Sequence, residues 1–206
     1  LQAHGLDKNG QLYKVNYFEF HRDEDVIKLA DDPDYDQTKF EEKLEIKGDN
    51  DHTKLITMLN ALNDYSVPMS DILGKYFDTE NLAYWMAFQL LTGNTDTQTR
   101  NMYLYSPTNS DTFYVLDWDN DGMLMRKEYE IKQRSDGKSW ENGISNYWGN
   151  MLFSRCLQTK SFRTALDKAI QDEYKYMNAN RINSMVKHYR SITEQYVWKM
   201  PASMYE

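Results

Sequence analysis

Between residues 78 and 122 the chain changes character in an order that narrows its fold more than any total does. The run "DTENLAYWMAFQLLTG" (78–93) places Leu82, Ala83, Trp85, Met86, Phe88, Leu90 and Leu91 on nearly all sides of a helix, so that helix is buried. Asp78 and Thr79 are its capping candidates at the start and Gly93 at the end. A polar connection follows, then "NMYLYS" and "TFYVLD", two β-rich aromatic runs joined through "PTNSD", where Pro107, Asn109 and Asp111 favour a turn. The succession predicts a buried helix, a polar loop and a hairpin.

Closing that hairpin brings its two open ends together. Asp96 and Asn101 precede the first strand and Asp117 ends the second, so the three side chains are expected to converge. Phosphoryl transfer needs this set of groups: one carboxylate to orient a hydroxyl nucleophile, then an amide oxygen and a second carboxylate to hold Mg²⁺ against the phosphates. The interval from Asp96 to Asn101 equals that between Asp and Asn in the protein-kinase pattern H-R-D-x-x-x-x-N. Taken separately, Asn, Asp and Thr here would read as loop residues bonded to local amides. Their joint occurrence across a hairpin favours the chemical reading.

The rest of the chain reads as one folded body of α+β class, since no Pro/Gly/Ser-rich linker or repeat divides it. "GQLYKVNYFEF" predicts a strand at 12–20, and the charged stretch from 23 to 50 a short helix, a surface loop broken at Pro33, and "QTKFEEKLEIK" of undetermined type. Leu55, Met58, Leu59 and Leu62 recur at three and four residues, which is one face of a helix at 52–63. Three more helical patterns, 144–157, 160–176 and 180–198, make the C-terminal half a helical bundle.

Charge and cysteine content exclude several classes. Lys and Arg total 24 against 32 for Asp and Glu, a net charge of −8, which disfavours binding to a nucleic-acid backbone. The single Cys156, in the apolar helical stretch "NMLFSRCLQ", rules out an internal disulfide framework and a cysteine metal cluster. No run of 18 apolar residues suggests a transmembrane segment. With four histidines there is neither a His-rich metal cluster nor a Ser/His/Asp triad.

"NTDTQTRNMYLY" followed by "FYVLDWDNDG" resembles the paired signature of the CotH kinase family, the spore coat protein H-like atypical kinases. The likeness runs from "LYK" at 12–14 through "DTENLAYWMAFQLL" to "KSFRTALDKAI", and the central pair is its distinctive part. The resemblance implies the mostly helical C-terminal lobe of a protein-kinase-like fold. It also implies ATP and Mg²⁺ or Mn²⁺ as cofactors, Ser/Thr of coat or extracellular proteins as substrates, and a location in the spore coat or at the cell surface. Under it Asp96 is the catalytic-loop carboxylate, Asn101 and Asp117 hold the metal and nucleotide, and Asp119 is the second acid of a W-D-x-D-like pattern. Arg100, beside Asn101, is a candidate phosphate contact or a partner for a neighbouring acid. A kinase also needs a glycine-containing phosphate loop and a strand lysine with its glutamate partner, expected before residue 12. The opening "LQAHGLDKNG" looks like a start cut into a longer protein, so activity is expected of a longer parent.

Two other motifs compete. "HRD" at 21–23 lacks the kinase asparagine, Lys28 standing in its place, so His21 and Asp23 read as a strand end and the cap of a short helix. Asp117, Asp119, Asp121, Gly122 and Glu128 satisfy the calcium-loop pattern D-x-[DN]-x-[DN]-G-x₅-E, with Ca²⁺ as the alternative cation and a noncatalytic coat or surface binding module as the alternative function. An EF-hand, however, needs a helix before that loop, and "TFYVL" is a strand former. Trp118 is expected in the core or at the edge of the site, Lys14 has no assignable partner, and Tyr147 and Trp148 read as helix core.

Overall fold

The computed structural model describes residues 1–94, 96–124 and 145–197. Strands β1 (Gln11–Val15), β2 (Leu44–Ile46), β3 (Met102–Ser106) and β4 (Tyr114–Asp117) form an antiparallel sheet in the order β2-β1-β3-β4. Seven α-helices accompany it among the described residues: α1 (Gln37–Glu41), α2 (Thr53–Asn63), α3 (Met69–Tyr76), α4 (Thr79–Thr92), α5 (Met151–Gln158), α6 (Lys160–Tyr176) and α7 (Ala179–Val197). The fold is therefore α+β, as expected. No described helix is long and apolar enough to cross a membrane.

The chain divides into two compact units, Leu1–Ile170 and Gln171–Glu206. The first contains the sheet, the candidate site and the hydrophobic core. Strand alternation sends Tyr13 and Val15 of β1 inward with Met102 and Leu104 of β3 and Val115 of β4. Leu55, Met58, Leu59 and Leu62 of α2 are fully buried, the apolar stripe read from their spacing. Each such side chain contributes about 1.5–3 kcal/mol relative to exposure, so packing rather than helix propensity holds α2 in place. The second unit carries α7, in which Ile182, Met185, Tyr189, Ile192 and Tyr196 recur at intervals of three and four along one face.

Asp78 caps α4 by accepting from the Asn81 N–H, and Gly93 ends it with a left-handed φ of 64°. Beneath the hairpin α4 is clamped to the edge strand: Asn81 Nδ2 donates to the Val115 carbonyl (3.1 Å) and Asn81 Oδ1 accepts from the Val115 N–H (2.8 Å). This pairing closes the outer edge of β4 as another strand would.

Three expectations need correction. The first strand ends at Val15 rather than residue 20, because Tyr17 and Phe20 adopt positive φ (49° and 60°) and fold the chain back so that Phe18 and Phe20 enter the core. The short helix expected after Asp23 is a single turn: Asp23 Oδ1 accepts from the N–H groups of Asp25 and Val26, and the next helix begins only at the Asp36 cap. Trp148 is half-exposed rather than core, whereas Tyr147 is buried, in a 3₁₀ turn over Ser145–Gly149. Sequence periodicity also passed over α3, eight residues that follow Pro68 and include Gly74, a poor helix former.

Candidate active site

The loop after α4 is fastened from several directions before it reaches β3. Asn94 is buried; its Nδ2 donates to Asn120 Oδ1 (3.2 Å), and its own Oδ1 accepts from the Asp96 N–H (3.4 Å). Further along, the Gln98 carbonyl accepts from Asn150, the N-cap of α5 (2.8 Å), and the Thr99 carbonyl accepts from the Phe18 N–H (2.8 Å). These bonds hold the backbone on both sides of Asp96.

Within that frame Asp96 and Asn101 meet: Asn101 Nδ2 donates to Asp96 Oδ2 at 2.9 Å. Asn101 has a left-handed φ of 57°, a conformation Asn tolerates better than most residues, and the turn aims its side chain back along the loop. The other carboxylate oxygen, Oδ1, accepts from Arg100 Nε (2.8 Å) and Nη2. Arg100 also donates through Nη1 to the Tyr17 hydroxyl and lies over that ring, 5.0 Å from its centre. Of the two roles open to Arg100, the structure thus displays pairing with the neighbouring acid.

The other half of the site leaves β4. Met102 pairs with Asp117 in the sheet register, so Asn101 and Trp118 are the next residues at the same open end. Asp117 Oδ1 accepts from Gln89 Nε2 at 2.7 Å. The residue presents much of its surface to solvent, yet crowding around its carboxylate raises the pKa above the usual 3.8, with Gln89 and Trp85 pulling in the opposite direction. Trp118 stands edge-on to Tyr103 (5.3 Å) with the Lys14 ammonium 5.4 Å from its ring centre, so it edges the site and supplies the partner Lys14 lacked.

Asp119 is exposed with a left-handed φ of 56°, and heads a 3₁₀ turn over Asn120–Gly122 without capping it. At Gly122 the two halves of the site touch. A Cβ there would lie 2.9 Å from Asn94 Oδ1 and 3.4 Å from Asp96 Cβ, so glycine permits the approach. Two residues on, the Leu124 N–H donates to the Thr92 carbonyl (2.8 Å). Among the described residues no three His, Cys, Asp or Glu side chains gather as metal ligands, so Asp117, Asp119 and Asp121 do not by themselves form a carboxylate cage. The calcium-loop Glu128 lies outside the described residues. A cleft of about 500 Å³ opens beside Asn101 and Arg100, with Lys14, Glu41 and Glu45 on its walls.

The "HRD" tripeptide has a structural use. Arg22 Nε donates to Asn60 Oδ1 on α2 (2.8 Å) and Nη1 to the Ile27 carbonyl (2.8 Å), which fixes the turn that replaces the expected helix.

A family model described as CotH kinase protein matches residues 1–206. The chain belongs to the CotH kinase family. Comparison with the curated proteins gives no match. In this CotH chain the asparagine and aspartate singled out by their spacing are in contact, and the strand-end aspartate emerges at the same end of the hairpin. Sequence reasoning missed Gln89, Asn94 and Asn150, the amides that tie α4, the loop and α5 into the candidate site of this CotH chain. Gln89 carried a signal nonetheless, as the single amide in the otherwise apolar and aromatic run 82–91.

Proposed function

We propose that this chain is the lobe of an atypical protein kinase that presents the substrate hydroxyl and the metal ligands for transfer of the ATP γ-phosphate to Ser or Thr of a protein. The observation that carries the reading is the Asp96–Asn101 hydrogen bond at the mouth of a hairpin whose second strand ends in Asp117. Kinase-like function agrees with family membership. Coat or surface proteins as substrates, and a spore-coat or cell-surface location, follow the family.

The donor set suits a hard cation. Asn101 spends its N–H on Asp96, which leaves its amide oxygen as the group to offer, and Asp117 supplies a carboxylate with Asp119 two residues on. When bound, Mg²⁺ or Mn²⁺ would be held by Asn101, Asp117 and Asp119 and would offset the charge that develops on the transferring phosphate. Asp96 accepts the hydroxyl proton as the substrate oxygen bonds to the γ-phosphorus; the bond from that phosphorus to the bridging oxygen breaks, and ADP leaves. Arg100 holds Asp96 in the orientation this requires.

The test is label transfer from γ-labelled ATP to casein, and to the protein itself, by the intact protein with Mg²⁺ or Mn²⁺. Asp96→Ala should lower the rate by roughly 10²–10⁴-fold, the usual contribution of a positioned acid–base group. Transfer by Asp96→Ala at the wild-type rate would overturn the assigned role. No transfer by the wild type under any divalent cation would favour the noncatalytic module.

A further inference from the structure

Gln89 is an anomaly in α4. It is 1 % exposed and surrounded by apolar helix, where Leu would pack without polar cost. Its Nε2 donates to Asp117 at 2.7 Å, while its Oε1 is buried with no hydrogen-bond partner among the described residues. A buried amide satisfied on one side only is a poor core residue unless the bond it does make has a use. The amide cannot be reversed to relieve the orphan, because that would turn a carbonyl oxygen onto the ionised carboxylate.

We propose that Gln89 is a positioning residue for the metal-holding carboxylate, fixing Asp117 Oδ1 from below so that Oδ2 faces the cation. The inference rests on the reading of Asp117 as a cation ligand. Its mechanical basis is the clamp between α4 and β4: Asn81 bonds Val115 through both its amide atoms, so the helix cannot slide along the strand, and Gln89 meets Asp117 in a fixed place. Asp117 is the last residue of β4 and is solvent-reached, so without that donor its carboxylate would sample rotamers, and ordering it would weigh against binding. Trp85 of the same helix acts on the same carboxylate: its indole N–H makes no hydrogen bond of ordinary length among the described residues and adds a weaker pull. Partners of this kind that orient metal-binding carboxylates are worth 10–100-fold in affinity or activity.

The experiment measures Mn²⁺ binding by electron paramagnetic resonance, with ADP present, for the intact wild-type protein, Gln89→Met, Gln89→Leu and Asp117→Asn. Gln89→Met keeps the volume and removes the donor; it should weaken Mn²⁺ binding about 10–100-fold at an unchanged melting temperature. In ATP turnover it should raise the Mn²⁺ needed for half-maximal rate by a similar factor, while the rate at saturating Mn²⁺ returns toward wild type. Gln89→Leu, which also lacks a donor, should weaken binding as well and carries the test if the Met variant does not fold. Wild-type Mn²⁺ affinity in either variant, with Asp117→Asn impaired, would sink the Gln89 inference alone. Wild-type affinity in Asp117→Asn would instead sink the reading of Asp117 on which it stands.

Discussion

Asp117 shows how a single residue can be kept against the interest of stability. Its folded pKa is raised, chiefly because crowding penalises the charged form. The sign follows: above pH 3.8 an unfolded Asp117 ionises freely, whereas the folded protein must bear the charge in a poorer environment, so this residue lowers stability as pH rises through that window. Asp117→Asn should therefore be at least as stable as wild type at pH 7 in urea unfolding, with the comparison moving toward wild type near pH 3, while phosphate transfer is lost. Clear destabilisation by Asn at pH 7 would mean that the carboxylate is a structural lock. At this scale the sequence was informative where chemistry depends on order along the chain. Asp96 and Asn101 are close because they are five apart in one loop, and Asp117 is near because a hairpin returns there. The partners of Gln89, Asn94 and Asn150, namely Asp117, Asn120 and Gln98, were illegible because they are set by how separate elements pack.

Elements with strong local signals were read correctly: α2 by its stripe, α4 by its caps, and the β3–β4 hairpin by its turn residues. Those that fail share a lack of local signal. β2 is three residues long, α3 is short and contains glycine, and the end of β1 is decided by positive φ at Tyr17 and Phe20, which bulky residues adopt only under tertiary constraint. β1, α1 and the segment leading into α1 meet around His52, which precedes α2. His52 is fully buried, stacked on Phe40 of α1 at 4.1 Å, with Nδ1 2.9 Å from the Tyr13 hydroxyl of β1 and Nε2 3.2 Å from that of Tyr35. Burial lowers its pKa from 6.5 to about 4, with Asp51 and Asp49 opposing. The neutral ring contributes its full stability above pH 6.5, and that contribution is lost as pH falls toward 4, because the unfolded chain takes up the proton first. At pH 5 the loss is about 2 kcal/mol. Urea unfolding at pH 7 and pH 5 should show this drop in wild type and a smaller one in His52→Gln; equal drops in both proteins would place the titration elsewhere.

Across the first unit, local folding signals and long-range ties do different work. The apolar core brings the elements together, but the candidate site needs α4, the loop, β4 and α5 in register, and polar contacts between distant residues set that register. Asn150 at the start of α5 fixes the loop, and one turn later Arg155 of the same helix fixes α2 and α3. Arg155 is buried, and it donates through Nη1 to the carbonyls of Leu62 (2.5 Å) and Asp64 (3.2 Å) and through Nη2 to that of Val67 (2.6 Å), with its guanidinium 5.0 Å from the Tyr65 ring centre. These carbonyls close the end of α2 and the approach to α3, so a planar fork from α5 completes what neither helix can satisfy alone. Arg155→Met keeps most of the apolar packing but strands these acceptors, and should cost on the order of 3 kcal/mol in urea unfolding. Arg155→Lys, a point donor, should recover only part of that loss. Because the same helix carries Asn150, displacement of α5 should also lower phosphate transfer in Arg155→Met beyond what the unfolded fraction explains. A stability loss with full specific activity of the folded fraction would show that the loop carrying Asp96 keeps its shape without α5.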